Sequence, residues 1–362
     1  MKSINSDPPM LEGYVYSPSE ARSCRDAGGL LSIRLETSLR CDLNCLYCCN
    51  NSGAVPESGL RLTLLEDLVR QASELGARSV VIIGGGEPTI YAGFRKLVRF
   101  VSQIGLIPVV FTNAQSMSHA LASFLYDSGA SVIVKMDSLD PATQDILSGK
   151  DGSALKIRSA VEILDNVGYL KPGRRLRAGA SMVVTKLNLH DIPNVWKFCR
   201  EHHLFPNMEM LIPNGRAGEN LLPSIEDYRH LKMALLKQDI EDYAISWVPY
   251  TPLASAGCFQ CMYNVYVDVN GWARPCSSIH VRTANIKDKR LSNVIKTAFF
   301  RRARYIEQFL TGKCSGCEYG HVCVGCRGLS FTMAKIRGLS DLEALVSSDP
   351  SCWKGLSQGS QQ

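Results

Sequence analysis

The chain has 362 residues, of which 45% are hydrophobic and 20% are charged, the composition of an ordinary globular protein. Its formal net charge of +6 is mild, and no basic stripe interleaved with aromatic residues indicates nucleic acid. No apolar run approaches the roughly 20 residues of a membrane-spanning helix, and the first residues lack the apolar core of a secretory signal. We therefore expect no nucleic-acid partner, no membrane partner and a cytoplasmic location.

Cysteine is the unusual component, because the chain has 14 and they are clustered. Disulfides rarely persist in the reducing cytosol, where clustered cysteines at short spacing more often bind metal. Eight of the cysteines lie between Cys258 and Cys352, beyond chain-breaking prolines and a glycine near residue 250. We expect metal centres around residue 45 and in this C-terminal region.

The predicted elements begin after a polar lead-in over residues 1–30, which is rich in Pro, Gly and Ser and which we expect to pack loosely. Strands are predicted over 31–36, 79–83, 107–112, 131–136, 178–185 and 207–212. A capping-box match at residues 63–66 predicts a helix start there, and the helix ends near Gly76. Further helices are predicted over 90–103, 118–128, 154–167, 192–203 and 222–245.

Short, nearly all-apolar strands that alternate with helices predict a parallel sheet covered by helices. Right-handed crossovers would curl that sheet into an open or closed barrel. The composition then changes near residue 250, where the cysteine-rich region begins. The predicted organisation is a lead-in (1–30), an α/β domain (31–250), a small cysteine-rich domain (251–355) and a polar tail (356–362).

The first cysteine cluster directly follows the first predicted strand. Cys41, Cys45 and Cys48 form a C-x3-C-x2-C run. Three thiolates on one tight loop can bind three irons of a four-iron cluster and leave the fourth iron open to an exogenous ligand. A zinc site would need a fourth ligand, for which Cys49 is the nearby thiol. The spacing alone leaves both metals open.

A glycine-rich motif follows the second predicted strand, where the sequence reads Gly84, Gly85, Gly86, Glu87 and Pro88. Glycines allow the backbone to approach a ligand closely. The carboxyl end of a parallel strand is also where barrel and open-sheet enzymes build their sites. The motif is therefore a candidate ligand-binding loop, with a plain strand-to-helix turn as the alternative interpretation.

Together, the cysteine run, Tyr47 within it and the glycine motif resemble the signatures of the radical S-adenosylmethionine (SAM) superfamily. The resemblance implies an α/β fold, a partial (β/α)6 TIM-like barrel. It implies that Cys41, Cys45 and Cys48 hold a [4Fe–4S] cluster whose open iron is chelated by SAM. The residues that the resemblance places near SAM are Tyr47, Gly84, Gly85, Gly86, Glu87, Asn113, Ser181 and Leu211.

The C-terminal cysteines resemble the SPASM domain, an extension of radical SAM enzymes that carries two auxiliary [4Fe–4S] clusters. The chain has Cys258-x12-Gly271-x4-Cys276, then Cys314-x2-Cys317-x5-Cys323-x2-Cys326, then Cys352. The family has three residues where this chain has two between Cys323 and Cys326. The resemblance implies a nearer cluster on Cys258, Cys261, Cys276 and Cys326, and a farther cluster on Cys314, Cys317, Cys323 and Cys352. Two four-cysteine zinc sites are the alternative.

The implied reaction begins with an electron from a flavodoxin- or ferredoxin-type donor and reductive cleavage of SAM to a 5′-deoxyadenosyl radical, which abstracts a substrate hydrogen. Eight cysteines would ligate two auxiliary clusters fully, which favours electron transfer and a net two-electron oxidation. The candidate general bases are Asp137, Glu209 and Asp268, followed by His280 and Glu318. Ser277 stands where sulfatase-maturing relatives have an Asp, which disfavours that activity.

Two substrate classes compete. About 40 residues precede Cys41, too few for a separate peptide-recognition domain, and this favours a small sugar-like or aminocyclitol-like intermediate of natural-product biosynthesis. The alternative is a peptide-modifying maturase that forms thioether or carbon–carbon links, or oxidises side chains, with a separate recognition partner. A second alternative is a non-enzymatic zinc or iron–sulfur scaffold, which would bind metal without cleaving SAM.

Overall fold

The computed structural model describes residues 8–53, 55, 59–173 and 175–354. The strands are β1 Met10–Leu11, β2 Ser32–Leu35, β3 Ser79–Ile82, β4 Ile107–Thr112, β5 Ser131–Lys135, β6 Arg175–Leu176, β7 Ala178–Val184, β8 Phe205–Met210, β9 Asn264–Val267 and β10 Ala273–Arg274. The helices are α1 Pro18–Asp26, α2 Leu62–Glu74, α3 Phe94–Gln103, α4 His119–Asp127, α5 Pro141–Ser148, α6 Ser153–Val167, α7 Ile192–Glu201, α8 Ile225–Tyr243, α9 Gln260–Tyr263, α10 Leu291–Val294, α11 Ala298–Arg304, α12 Arg327–Ile336 and α13 Asp341–Val346. The predicted tail over 356–362 lies outside the described residues.

One eight-stranded sheet carries the fold, with strands in the order β10-β9-β2-β3-β4-β5-β7-β8. Strands β2, β3, β4, β5, β7 and β8 are all parallel to their neighbours. The predicted partial (β/α)6 barrel is therefore confirmed. Parallel pairing brings the carboxyl ends of these strands to one edge, so the loops that follow them meet there.

The two faces of the sheet have different partners because side chains alternate along a strand. In β3, Val80 and Ile82 pack into the large core formed with the helices, whereas Val81 points to the opposite face. There Val81 joins Val109 and Ile133, and the cluster includes residues of the N-terminal segment. This second core fills the concave side of the sheet beneath the carboxyl edge.

The N-terminal segment differs from the expectation of a loosely packed lead-in, which was wrong. Leu11 and Tyr14 are buried in the concave core, and β1 pairs with β6. Helix α1 starts with a capping box between Ser17 and Glu20. Its Arg22 and Arg25 both bond to Glu307 in the C-terminal region. The segment therefore ties the two ends of the chain together.

Three local predictions also need correction. Helix α2 has Arg61 as its N-cap without a side-chain hydrogen bond, so the capping box expected at 63–66 lies inside the helix. Helix α5 was not expected, and its polar N-cap Asp140 followed by Pro141 was the available signal. The last barrel strand covers Phe205–Met210, two residues earlier than expected, so Leu211 lies in the loop.

The C-terminal region joins the barrel sheet directly, a feature that the sequence pattern did not indicate. Strand β9 is parallel to β2, with Arg34 paired to Tyr266 and Leu35 paired to Val267. Strand β10 then closes an antiparallel hairpin onto β9. Within the described residues no helix is both long and apolar enough to cross a membrane.

A buried polar network fixes helix α8 against α7. Asp239 is fully buried and accepts hydrogen bonds from Trp196 Nε1 (2.9 Å) and Trp247 Nε1 (2.8 Å). Arg200 adds an ion pair to the same carboxylate, with Nη2 at 2.7 Å from Oδ2. Three donors thus compensate a charge that would otherwise be costly to bury.

Replacing Asp239→Ala should destabilise the fold strongly, because it leaves the buried Arg200 guanidinium without its counter-charge. Loss of one partner of a buried ion pair typically costs roughly 3–5 kcal/mol. We expect a fall in Tm of roughly 10 °C in thermal unfolding of the metal-loaded protein. Glu226→Ala, which removes an exposed ion pair on the same helix, is the control and should leave Tm unchanged. Equal Tm values for the two variants would contradict this role of Asp239.

Candidate functional site

A cavity of about 260 Å³ opens at the carboxyl edge of the sheet, on its concave side. Cys41, Cys45 and Cys48 line it. Burial raises the pKa of the Cys41 thiol to about 11 and that of Cys45 to about 12. Since metals bind the thiolate, loading this site releases protons.

Arg216, in the loop after β8, holds the cysteine loop through two hydrogen bonds. Arg216 Nε donates to the carbonyl of Cys45 (2.9 Å), and the amide of Arg216 donates to the carbonyl of Cys48 (2.9 Å). Gly215 has φ +63°, and a Cβ there would lie 2.6 Å from the carbonyl oxygen of Cys48. The loop after β8 can therefore approach the cysteines only with glycine at that position.

The glycine motif packs directly on the cysteine loop. The amide of Gly86 donates to the carbonyl of Ser38 (2.7 Å), and the amide of Glu87 donates to that of Arg40 (2.9 Å). A Cβ on Gly86 would lie 2.0 Å from the carbonyl oxygen of Arg40. Gly84, Gly85 and Gly86 all line the cavity. One reason for glycine at Gly86 is therefore contact between the two loops, in addition to any contact with a ligand.

The carboxylate of Glu87 is occupied by protein donors. It accepts from the amide of Asn113 (2.7 Å), from Thr112 Oγ1 (2.7 Å) and from Thr89 Oγ1 (2.6 Å). Burial raises its pKa, and these hydrogen bonds oppose that shift. Asn113 in turn donates from Nδ2 to Asp42 Oδ1 at 2.6 Å. Glu87 therefore fixes the end of β4 relative to the glycine motif.

Tyr47 and Asp137 form a buried pair beneath the cavity wall. The Tyr47 hydroxyl donates to Asp137, and burial raises the pKa of this phenol. Lys135 Nζ lies 2.9 Å from Asp137 Oδ1, and the amide of Val183 donates to the same oxygen (2.8 Å). Lys135 also lies 4.8 Å from the centre of the Tyr47 ring. Asp137 thus positions Tyr47 and Lys135, which both line the cavity.

The remaining predicted residues divide between the cavity and the surface. Ser181, Glu209 and Leu211 line the cavity. Asp268 does not, since it accepts from Arg274 Nη2 at a neighbouring pocket. Glu318 is an exposed partner of Lys354. Among the acid–base candidates, the structure therefore brings Glu209 to the cavity itself.

A second pocket, of about 280 Å³, adjoins the first and shares Cys49 and Asn50 with it. Its lining is mainly polar: Glu36, Leu39, Cys49, Asn50, Asn51, Asn214, Gly215, Asp268, Val269, Asn270, Arg274 and His280. Burial and the Arg274 charge lower the pKa of His280 to about 4. The imidazole is therefore neutral at pH 7 and acts as a hydrogen-bonding group.

Glu36 and Tyr266 connect the two pockets, and both were missed from the sequence. The Tyr266 hydroxyl, at the wall of the first cavity, donates to Glu36, which lines the second pocket. Glu36 also accepts from Asn50 Nδ2 (3.1 Å) and from the amide of Val269 (2.9 Å). No local pattern marked either residue, because the hydrogen bond joins positions that are 230 residues apart.

The C-terminal cysteines form two groups. Cys314, Cys317, Cys323 and Cys352 line one cavity of about 330 Å³. Cys258, Cys276 and Cys326 lie close enough to Cys261 for their charges to raise its pKa, after burial itself. No three His, Cys, Asp or Glu side chains in the described part converge on a single-ion site. Four cysteines around one cavity of this size are a ligand set that suits an iron–sulfur cluster.

Residues 35–199 match the family model described as Radical SAM superfamily. An AdoMet-dependent heme synthase of Oleidesulfovibrio alaskensis is 24% identical over 340 residues, which cover 83% of this chain and 84% of that protein. The mycofactocin maturase MftC of Mycolicibacterium smegmatis is 26% identical over 200 residues, or 54% of this chain and 49% of that protein.

Solved structures share the fold. SuiB of Streptococcus suis bound to S-adenosylmethionine has a TM-score of 0.68 at 20% identity, covering 90% of this chain and 77% of that chain. The enzyme anSMEcpe with bound AdoMet and a Cp18Cys peptide has a TM-score of 0.65 at 19% identity, covering 83% of this chain and 89% of that chain. The α/β fold with a partial barrel is thus common to this chain and these proteins.

Gly86→Ala should disrupt the cysteine loop, because the new Cβ would overlap the carbonyl of Arg40. We expect loss of most of the iron bound by Cys41, Cys45 and Cys48, and loss of SAM binding, measured by iron analysis and by equilibrium dialysis. Gly53→Ala is a matched control in the same loop, since a Cβ there meets nothing within 4 Å. Unchanged iron and SAM binding in Gly86→Ala would show that the two loops do not depend on this contact.

Proposed function

This chain is a radical SAM enzyme, and from that premise we propose that it oxidises a polar small molecule by two electrons. The substrate class is a sugar-like or aminocyclitol-like alcohol, converted to a ketone. When bound, SAM and its cluster would supply a 5′-deoxyadenosyl radical that takes a hydrogen atom from the alcohol carbon. An auxiliary cluster would accept the remaining electron and a base of this chain would accept the hydroxyl proton, so atoms and electrons balance.

The observation that carries this proposal is the polar pocket beside the cavity lined by Cys41, Cys45 and Cys48, which we call the SAM cavity. The two spaces share Cys49 and Asn50 among their lining residues and so lie side by side. Amides, two carboxylates, a guanidinium and a neutral imidazole line the second pocket, and such groups recognise hydroxyls and amines by hydrogen bonds. Relatives that align with 83% of this chain at 24% identity are named heme synthases, and heme is also a small molecule.

This chain has residues that could bind each of the proposed cofactors. Cys41, Cys45 and Cys48 would hold the cluster that binds SAM, in the same cavity as Tyr47 and the three glycines. Asn113, Ser181 and Leu211 line that cavity as well and are the proposed further SAM contacts. The proposed electron donor is a flavodoxin- or ferredoxin-type protein.

We assign proton removal to Glu209. It lines the SAM cavity, and its carboxylate accepts a hydrogen bond from the neutral side-chain amide of Asn207 (2.8 Å). Asp137 is held by Tyr47, Lys135 and the amide of Val183, and Asp268 is held by Arg274. A base must be within reach of the substrate proton, and Glu209 meets that requirement best.

A peptide-modifying maturase is the second candidate. The similarity to the mycofactocin maturase over 54% of this chain favours it. A peptide would enter through the same polar pocket, which opens beside the SAM cavity. The substrate experiment below separates the two classes.

The first test is anaerobic reconstitution with iron and sulfide, followed by iron analysis and an assay of 5′-deoxyadenosine release from SAM and dithionite. Three four-iron clusters correspond to about 12 irons per chain. The variant with Cys41, Cys45 and Cys48 all replaced by Ala should bind about 8 irons and release no 5′-deoxyadenosine. Zinc in place of iron, without SAM cleavage, would support the non-enzymatic scaffold and sink the proposed function.

The second test supplies a panel of aminocyclitols and monosaccharides deuterated at ring carbons, in parallel with short peptides deuterated at side chains. Deuterium in 5′-deoxyadenosine from the cyclic alcohols alone, with one ketone per cleaved SAM, is the expected result. Glu209→Gln should lower ketone formation at least about a hundredfold, the lower end of the range for loss of general base catalysis, while SAM cleavage continues. Glu226→Gln, on an exposed helix face, is the control. Deuterium transfer from peptides alone would establish the maturase instead.

A further inference from the structure

Arg327 is a buried cation that has no role in the proposed reaction as described above. It follows Cys326 as the first residue of α12 and is 3% exposed. Nη1 donates to the carbonyls of Ser347 (2.7 Å) and Leu345 (3.2 Å), and Nη2 donates to Ser330 Oγ (3.1 Å). These bonds fix the position of the guanidinium, and an arginine side chain in a protein carries a positive charge.

The guanidinium lies between the two groups of C-terminal cysteines. Its Nη2 is 4.0 Å from Cys314 Sγ, in the farther group. Its charge also acts on Cys261 in the nearer group, where it opposes the rise in the thiol pKa that burial causes. Arg327 therefore faces both auxiliary sites from a single fixed position.

The N–H groups around the two sites are unequally distributed. In the farther group, Cys323 Sγ accepts from the amide of Gly325 (3.3 Å), and Cys314 Sγ accepts from the amide of Asp349 (3.5 Å). Lys354 Nζ lies 3.8 Å from Cys317 Sγ in the same group. In the nearer group, Cys326 Sγ accepts from the amide of Leu329 (3.4 Å), and the thiol of Cys258 has a hydrogen bond with the amide of Gln260.

Positive charge and N–H donors near the sulfurs favour the reduced form of a cluster and raise its reduction potential. We propose that Arg327, together with these donors, holds the farther auxiliary cluster at a higher potential than the nearer one. Electrons taken from the substrate then run from the nearer to the farther cluster. This inference rests on the proposed function, because it requires both auxiliary clusters.

The nearer group has a buried cation of its own, which supplies a matched comparison. Arg34 on β2 is also 3% exposed, and its guanidinium carbon lies 5.0 Å from the centre of the Tyr14 ring. Its charge acts on the thiol of Cys258, opposing the burial that raises that pKa to about 11. Loss of the Arg34 charge should therefore lower the potential of the nearer cluster selectively.

The test is an EPR-monitored redox titration in the Cys41→Ala, Cys45→Ala, Cys48→Ala background, which leaves only the auxiliary clusters. Cys317→Ser changes a ligand of the farther cluster and so identifies its signal. Arg327→Met should lower the potential of the farther cluster enough to shift the electron distribution at least tenfold toward the nearer one, about 59 mV for a one-electron couple. Arg327→Lys should retain most of the wild-type difference, and Arg34→Met should lower the nearer potential alone.

Full binding of about 8 irons with unchanged potentials in Arg327→Met would overturn this inference and leave the proposed function standing. If Arg327→Met binds less iron, the same redox titration of Asp349→Asn tests the inference instead. The Asp349 charge acts on Cys323 and Cys352 of the farther group and on Cys326 of the nearer group. Its loss should therefore raise both potentials, the farther one by more, and an unmoved farther potential would overturn the inference. Zinc at both sites of the unmodified chain would overturn the inference and the proposed auxiliary clusters together.

Discussion

The contact between the cysteine loop and the glycine loop is the constraint on which the site depends. Two backbone hydrogen bonds join them, from the amides of Gly86 and Glu87 to the carbonyls of Ser38 and Arg40. Both loops follow neighbouring parallel strands, so the sheet brings them to the same edge. A side chain on Gly86 would occupy the space of the Arg40 carbonyl. The site is therefore assembled by backbone geometry before any side chain meets a ligand.

Two buried carboxylates also stabilise the site, because protein hydrogen-bond donors surround each of them. Glu87 receives four protein donors and secures the end of β4, while Asp137 receives three and positions Tyr47 and Lys135. An ionised carboxylate without such donors would cost several kcal/mol to bury. Their full occupancy leaves Glu209 as the more available carboxylate at the cavity wall. The same bonds that stabilise the barrel thus assign separate roles to its acidic residues.

The sequence supported prediction of the features that depend on local pattern. Runs such as Val80 to Ile82 are apolar because both faces of a parallel strand are covered, and the six barrel strands followed from them. Pairings distant in sequence left no local trace, so the joining of β9 to β2 and the packing of Leu11 were missed. Glu36 was not predicted from the sequence for the same reason, because its hydrogen-bond partner Tyr266 lies 230 residues away.

Strand β9 also explains how the two halves of the chain can work as one unit. Tyr266 pairs with Arg34 in the sheet, lines the SAM cavity and donates to Glu36 at the polar pocket. Two residues beyond this strand, the backbone of Val269 also donates to Glu36. A substrate held in the polar pocket would therefore touch residues of both halves. The proposed hydrogen abstraction at the barrel and the proposed electron transfer into the C-terminal region would therefore take place on either side of one continuous sheet.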